Sequence, residues 1–369
     1  MSIVVAGHIC LDIIPRFGGN VTDLGKIFVP GTLSEIGGAV LATGGAVSNT
    51  GIALHKLGVP VSLMAKVGDD DFGQTILNIL RRQGAELADG MIVRPGAETS
   101  YTVVINPPGV DRMFLHCPGA NHTFCSADVA DEKLAGVDLF HFGYPTLMRS
   151  MYQNNGAEMK ALFNRVRAAG ACTSLDMTCV DPLSEAGRVD WFQWLENVLP
   201  AADIFLPSID EILFMVNRPA YDALAEKFPG DMMKGIDRQL VEETAQTLID
   251  LGVSVVVIKL GDQGLYLRTG KAVRGRGAEW CNVSLFMPCL KANVVGTTGA
   301  GDCTIAGFLA AFVKGANPVV AVETAVAVGA FSTESAEATG SVPSWEVLQK
   351  RLASGWERKG SKFTNLNNR

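Results

Sequence analysis

The sequence predicts an α/β protein with a doubly wound, mostly parallel sheet and a small second β-sheet that forms a lid. Short apolar runs alternate with segments of helical periodicity along most of the 369 residues, which is typical of a parallel sheet covered on both faces. Residues 99–115 instead have the alternating pattern and the turn of an antiparallel hairpin. This hairpin predicts the small sheet, to which the irregular, glycine-rich residues 13–40 are expected to add strands.

The first third of the chain is predicted in the order strand, helix, strand, helix, hairpin. Gly58 ends the first helix, as glycine commonly does. The carboxylates at 69–71 suit the positively polarised start of the second helix. The predicted elements are a strand at 4–7, a helix at 46–57, a strand at 61–67, a helix from 68 to 82, and hairpin strands at 101–105 and 113–115 joined by a turn at 106–109.

From Val137 the alternation of strands and helices returns. Residues 217–237 carry two prolines and two glycines with mixed charge, which predicts a surface insertion. The elements predicted in order are strands at 139–142, 171–176, 203–206 and 253–259, and helices at 151–169, 191–199, 240–251, 299–313, 318–332 and 345–352.

These elements predict a division of the chain into two folded parts and a tail. The large α/β part comprises residues 1–12, 41–96 and 119–355. The lid comprises residues 13–40 and 97–118, and a polar flexible tail covers residues 356–369. The exposed apolar face of such a lid suggests a homodimer formed through it.

Composition excludes several classes of function. The net charge is −7 with no basic block, so neither nucleic acid nor an anionic membrane is an expected partner. No stretch of 18 uninterrupted apolar residues predicts a membrane span. The start of the chain lacks a basic leader, and the eight cysteines form no C-x-x-C pair and have no histidine at zinc spacing, so a cytoplasmic protein with reduced cysteines is expected.

The densest chemical motif is the segment from Val294 to Asp302, which leads into a predicted helix. Small residues at a helix start allow several backbone N–H groups to converge on an anion. A carboxylate at this position repels phosphate, but it is suited to taking a proton from an alcohol while the amides hold a phosphoryl group. The alternative, equally weighted from the residues alone, is a glycine-rich turn in which Asp302 caps the helix.

A second cluster surrounds Gly44 and Gly45 and enters the helix that contains Asn49. Asp12 follows the first strand, and ligands of open α/β sheets bind beyond the carboxyl ends of strands. Asp12, Asn49 and Asp302 are therefore expected at one crevice, although Asp12 by itself also fits a loop-capping role. Neither glycine cluster has the lysine of a P-loop or the spacing of a dinucleotide fingerprint.

Taken together, these features resemble the PfkB, or ribokinase-like, family of carbohydrate kinases. The N-terminal motif consists of Gly44, Gly45, Asn49, Gly58 and Gly68. The C-terminal motif runs from Thr297 to Asp302 and continues through Ala306-Gly307-Phe308. The resemblance extends from Val4 to about Leu352.

The resemblance implies an ATP-dependent kinase for a sugar or sugar acid, with Mg²⁺ and with a role for K⁺ left open. Asp302 would deprotonate the acceptor hydroxyl, beside an anion hole formed by the amides of Thr298 and the three following residues Gly299, Ala300 and Gly301. Glu211 would organise Mg²⁺ through water, which suits an ion that dehydrates reluctantly. The implied acceptor-binding residues are Asp12, Gly44, Gly45 and Asn49. The implied nucleotide-binding residues are Lys259, Gly261, Gly264, Thr298, Gly329 and Ala330.

Five positions depart from the family pattern: Val47, Gly51, Ser208, Gly296 and Thr324. Gly296 stands where the family usually has Asp, and Ser208 replaces the Asn of its N-x-x-E motif, so weakened metal handling is expected. Two alternatives stay open. One is a nucleoside kinase of the same fold. The other is a catalytically weak, sugar-responsive binding protein, which the departures at Gly296 and Ser208 suggest and the intact Gly299–Asp302 segment disfavours.

Overall fold

The computed structural model describes residues 1–18, 25, 27–107 and 112–363. Within them, fourteen strands form three sheets. The strands are β1 (Ile3–Gly7), β2 (Cys10–Pro15), β3 (Ala39–Gly44), β4 (Val61–Met64), β5 (Lys66–Gly68), β6 (Ile92–Arg94), β7 (Tyr101–Ile105), β8 (Met113–Cys117), β9 (Leu139–Gly143), β10 (Cys172–Asp176), β11 (Ile204–Phe205), β12 (Val255–Lys259), β13 (Leu265–Thr269) and β14 (Ser284–Met287).

Eleven α-helices accompany these strands in the described part of the chain. They are α1 (Ala46–Lys56), α2 (Asp71–Gln83), α3 (Arg149–Tyr152), α4 (Ala157–Ala168), α5 (Trp191–Val198), α6 (Ile209–Val216), α7 (Arg218–Lys227), α8 (Arg238–Asp250), α9 (Ala300–Val313), α10 (Pro318–Ser332) and α11 (Trp345–Ala353). None of the helices in these ranges combines the length and the apolar character needed to cross a bilayer.

The large sheet has the strand order β14-β13-β12-β11-β10-β9-β1-β4, and the six strands from β12 to β4 are parallel. Every residue of β1, β9 and β12 is buried because both faces of the sheet are covered. In β1, Ile3 and Val5 join the core beneath α1, α9 and α10, whereas Val4 and Ala6 join the core beneath α4, α5 and α8. The predicted doubly wound architecture is therefore confirmed.

The small sheet has the order β3-β2-β7-β8 and contains the predicted hairpin. Its turn lies partly outside the described residues, as do parts of the predicted lid segment at 19–24 and 26. The strands extend beyond the expected lid boundaries, because β2 begins at Cys10 and β3 ends at Gly44. Asp12 and Gly44 therefore belong to the small sheet, at its junction with the large one.

Several predicted elements are divided in the structure. The strand expected at 61–67 is two strands, and only β4 belongs to the large sheet, because β5 pairs with β6. The helix expected at 151–169 is interrupted at Asn155, which has a left-handed φ of 52°. Helices α6 and α7 and the antiparallel edge strands β13 and β14 were not predicted. Helix α7 lies within the expected surface insertion and buries none of its residues.

The prediction of a flexible tail is wrong for residues 356–363. Phe363 is 2% exposed and its ring stacks on Phe286 with centroids 5.4 Å apart. The Lys359 amide donates to the Cys289 carbonyl at 2.8 Å, and Trp356 packs edge-on against Phe331. Aromatic burial therefore holds this polar segment against the large domain. The remaining tail, residues 364–369, lies outside the described residues.

Candidate active site

Asp302 lies in the first turn of α9, and its carboxylate is held by two side chains from distant parts of the chain. Oδ2 accepts a hydrogen bond from Asn49 Nδ2 at 2.9 Å, and Oδ1 accepts one from the Tyr144 hydroxyl at 2.8 Å. Helix α1 therefore supplies one donor and the end of β9 supplies the other. These contacts bring α1, α9 and the residue that follows β9 together.

The alternative in which Asp302 caps α9 is wrong. The N-cap of this helix is Gly299, which has a left-handed φ of 71°. A Cβ at this glycine would lie 2.6 Å from Ala338 Cβ, so both the backbone angle and the close approach require glycine. Asp302 instead lies three residues into the helix and directs its carboxylate at side chains.

Burial raises the pKa of Asp302 above its ordinary value, and the Asn49, Lys259 and Tyr144 groups partly oppose this increase. Asn49 and Tyr144 are neutral donors, so they stabilise the carboxylate without neutralising it. A carboxylate with a raised pKa in a fixed orientation is a better proton acceptor than an exposed one.

Two of the predicted acceptor-binding residues, Asp12 and Gly44, are in contact. Gly44 has no room for a side chain, since a Cβ there would lie 2.4 Å from Asp12 Oδ2. Gly45 has a left-handed φ of 89° and is the N-cap of α1. Asp12 lies within β2, so it is not a loop cap, and burial raises its pKa to about 6.

A buried ion pair lies beside the start of α9. Lys259, the last residue of β12, donates to Asp176 at the end of β10, with Nζ and Oδ1 2.7 Å apart. Burial raises the pKa of the Asp176 carboxyl, while the Lys259 ammonium opposes that increase. The carboxylates of Asp176 and Glu211 raise the pKa of Lys259 in spite of its burial, so the lysine is a fixed cation.

A cleft of about 860 Å³ opens beside Lys259, which is within the usual size of small-molecule sites. It is lined by backbone and side chains from β12, α9, α10 and the segment before Phe363. The predicted residues that line it are Lys259, Gly261, Gly264, Ala300, Gly301, Gly329 and Ala330. Gly299 and Thr298 do not line it, although Thr297 does. The cleft therefore extends from the start of α9, where Asp302 lies, to a wall of small and apolar residues.

Glu211, the predicted Mg²⁺ residue, caps a helix and does not line the cleft. Its Oε2 accepts a hydrogen bond from the Ser208 amide at 2.7 Å and so caps the start of α6. Ser208 lines the cleft, but Glu211 does not. Burial raises the pKa of Glu211 to about 8, opposed by Lys259 and reinforced by Asp176. Asp176 Oδ2 is buried without a hydrogen-bond partner of good geometry among the described residues, an arrangement that fits a hydrated cation nearby.

Two residues of this site were missed in the sequence. Tyr144 follows the end of β9 and has a left-handed φ of 63°, which is uncommon for a residue other than glycine. In the sequence, its position directly after a predicted buried strand could have identified Tyr144 as a candidate site residue. Arg112, at the edge of the hairpin turn, donates to the hydroxyl groups of Thr297 and Thr298. Only the pairing of the small sheet brings this arginine across the cleft.

A family model described as "pfkB family carbohydrate kinase" matches residues 2–345, and the chain therefore belongs to this family. The sequence is 28% identical over 279 residues to a 2-dehydro-3-deoxygluconokinase of Thermoproteus tenax, covering 74% of each chain. It is 26% identical over 312 residues to fructokinase-2 of Zea mays, covering 83% of this chain and 78% of that one.

Solved structures confirm the ribokinase-like fold. A fructokinase with bound ATP from Xylella fastidiosa superposes with a TM-score of 0.71 at 19% identity, covering 96% of this chain and 98% of that one. A ribokinase of Arabidopsis thaliana complexed with ribose and ATP has a TM-score of 0.69 at 19% identity, covering 95% and 98%. At these identities the similarity establishes the fold.

Proposed function

We propose that this protein is an ATP-dependent kinase for a sugar or sugar acid, with Asp302 as the general base. The observation that carries the proposal is the Asp302 carboxylate, held by Asn49 and Tyr144 at the start of a helix that opens into the large cleft. The relatives named as sugar and sugar-acid kinases support the substrate class.

On the acceptor side, the substrate lies between Asp302 and the β2–β3 edge of the small sheet. Asp12 and Asn49 bind its hydroxyl groups, and Gly44 and Gly45 allow the backbone to approach it. Asp302 takes the proton of the attacking hydroxyl as the hydroxyl oxygen bonds to the γ-phosphorus, the bond between the γ-phosphorus and the β,γ-bridging oxygen breaks, and ADP leaves. The small sheet covers the site as a lid, which limits transfer of the phosphoryl group to water.

On the nucleotide side, ATP occupies the cleft beside Lys259 and between Gly261, Gly264 and the Gly329–Ala330 wall. The amides from Thr298 to Gly301 receive the transferring phosphoryl group, where the helix start favours negative charge. Lys259 and Arg112 add positive charge as negative charge develops. Catalysis of this kind depends on positioning and electrostatic stabilisation.

The Mg²⁺ that accompanies ATP would be held through water by Glu211, close to the unpartnered oxygen of Asp176. When bound, it would neutralise phosphate charge. Ser208 contributes a hydroxyl where the family motif has an amide, so metal affinity is expected to be weaker but retained. We also propose a homodimer through the exposed apolar side chains of the small sheet, such as Phe114 and Leu115. A role for K⁺ is left open for direct measurement.

The test is ADP release from Mg²⁺-ATP in the presence of pentoses, hexoses, keto-deoxy sugar acids and nucleosides in turn. We expect one class of sugar or sugar acid to stimulate release, and Asp302→Asn to abolish the stimulation. Asp222→Asn, at an exposed position on α7, is the matched control and should behave as wild type. Stimulation by nucleosides alone would establish the nucleoside kinase instead. Sugar binding without ADP release would support the binding-protein alternative.

A further inference from the structure

Three metal-ligand side chains that the proposed reaction does not use lie together at the junction of the two sheets. They are His8, which follows β1, Cys10, which begins β2, and His116 in β8. One ring nitrogen of each histidine and the cysteine sulfur all lie within 4.8 Å of one another. His8 and Cys10 are buried and His116 is partly exposed. We propose that these side chains form a binding site for a soft divalent metal ion, with Zn²⁺ as its expected occupant.

The spacing of the two imidazole groups fits a shared ion. His8 Nε2 and His116 Nε2 are 3.3 Å apart. Two nitrogens bound to one tetrahedral Zn²⁺ at about 2.0–2.1 Å are separated by roughly 3.3 Å. The sulfur needs only a small movement, because a tetrahedral site with Zn–S of about 2.3 Å separates S and N by roughly 3.6 Å. The backbone therefore already brings the ligand atoms close to binding distance.

The Thr102 hydroxyl group contacts two of the three proposed ligands, Cys10 and His116. Thr102 Oγ1 lies 3.0 Å from His116 Nδ1 and 3.5 Å from Cys10 Sγ. If the hydroxyl donates to sulfur and accepts from the Nδ1–H group, the lone pair of His116 is left on Nε2, facing His8. Polar groups that hold the second ring nitrogen in this way fix the tautomer and the ring orientation at metal sites.

The thiol of the cluster already has a proton acceptor beside it. The Cys10 thiol donates to Asp12 Oδ1 at 3.3 Å. Metal binding replaces the S–H bond with a metal–thiolate bond, and the proton leaves through the Asp12 carboxylate to solvent. A thiolate with two imidazoles selects Zn²⁺ over Mg²⁺ or Ca²⁺.

The site would connect the two parts of the molecule. His116 belongs to the small sheet, while His8 directly follows β1 of the large sheet. A bound ion would therefore add a cross-link between the lid hairpin and the domain beneath it. A water molecule would complete the coordination sphere.

The experiment uses the full-length chain freed of metal, without nucleotide or sugar, so its result is independent of kinase activity. Zn²⁺ affinity is measured by competition with a chromophoric chelator, and Co²⁺ serves as a spectroscopic probe. We expect one equivalent of Zn²⁺ and a thiolate-to-Co²⁺ charge-transfer band. Cys10→Ser and His116→Gln should each weaken binding by more than about 100-fold, because changes outside the first coordination shell alone cost about 10–100-fold.

Cys281→Ser and His55→Gln are the matched controls, since both residues lie outside the cluster. They should bind Zn²⁺ as wild type does. Equal affinity in wild type and Cys10→Ser would overturn the proposal, as would a Co²⁺ complex of the wild type that lacks the thiolate band. The spectrum of the wild type decides the question even if a ligand variant does not fold. If the proposal is overturned, His8 and His116 share an ordinary N–H···N hydrogen bond.

Discussion

Two buried carboxylates at the same edge of the large sheet are held in different ways. Asp302 receives hydrogen bonds from the neutral groups of Asn49 and Tyr144, whereas Asp176 is paired with the Lys259 ammonium at 2.7 Å. Burial raises the pKa of both. Neutral donors orient a carboxylate while leaving it able to accept a proton. A neighbouring cation forms an ion pair with the carboxylate and opposes its protonation.

The difference assigns distinct roles to two similar residues. Asp302 is suited to proton transfer, because no ion pair is broken when it is protonated. Asp176 is suited to holding Lys259 rigid at the cleft, because removal of either partner leaves an uncompensated buried charge. Variants of the two aspartates should therefore affect different measurable quantities.

The largest expected effect is on turnover, in Asp302→Asn. We expect turnover to fall by about 10²–10⁴-fold, the usual contribution of a positioned base, while the chain remains folded. Acceptor-dependent ADP release measures turnover, and thermal unfolding shows whether the variant is folded. Near-normal turnover in a folded variant would refute Asp302 as the base.

Asp176→Asn should instead reduce stability. The Lys259 ammonium would remain buried without its anion, and breaking a buried pair costs about 3–5 kcal/mol in free energy of unfolding. Urea denaturation measures this change. The matched double variant, Asp176→Leu with Lys259→Met, removes both charges and should recover most of the loss. If the single variant unfolds like wild type, the ion pair has no structural role.

Arg112→Ala tests whether the lid contributes to the phosphoryl side of the site. A hydrogen bond from a charged group is worth about 1.5–3 kcal/mol, and about 1.4 kcal/mol of barrier corresponds to tenfold in rate. We therefore expect turnover to fall by about 10- to 100-fold with little change in unfolding. Arg81→Ala, on the exposed face of α2, should leave turnover unchanged. Equal turnover in the two variants would remove Arg112 from the site.

The smallest effect is expected in Tyr144→Phe, and it concerns pH. The Tyr144 hydroxyl stabilises the charged form of Asp302 and so lowers its pKa. Loss of this donor raises that pKa further, so the decline of turnover on the acid side should begin at a higher pH. Tyr221→Phe, on the surface helix α7, is the control. An acid limb that stays in place or moves to lower pH would contradict the assigned contact.

Much of the fold and the central part of the site followed from local patterns. The buried strands around Val5 and Val257 were predictable because a sheet covered on both faces requires continuous apolar runs. The glycines before Asp302 were predictable as a helix start because a left-handed backbone, as at Gly299, favours glycine. Local chemistry of this kind is contained in short stretches of sequence.

Other features depended on contacts between distant segments. The division of residues 61–67 between two sheets, the docking of Phe363 and the edge strands β13 and β14 arise from pairing and burial that local periodicity does not encode. Tyr144 reaches Asp302 because its backbone adopts a left-handed conformation at a strand end.

The sequence by itself determined the class of fold, the motif around Asp302 and the family, because these depend on residue type and short spacing. Tertiary structure alone decided which donors hold each carboxylate and which side chains meet across the two sheets. The group of His8, Cys10 and His116 is the clearest case, since 105 residues lie between Cys10 and His116 in the chain. Sequence motifs for metal ligands use much shorter spacings than this. The pairing of β2 with β7 and of β7 with β8 brings Cys10 and His116 together in the folded chain.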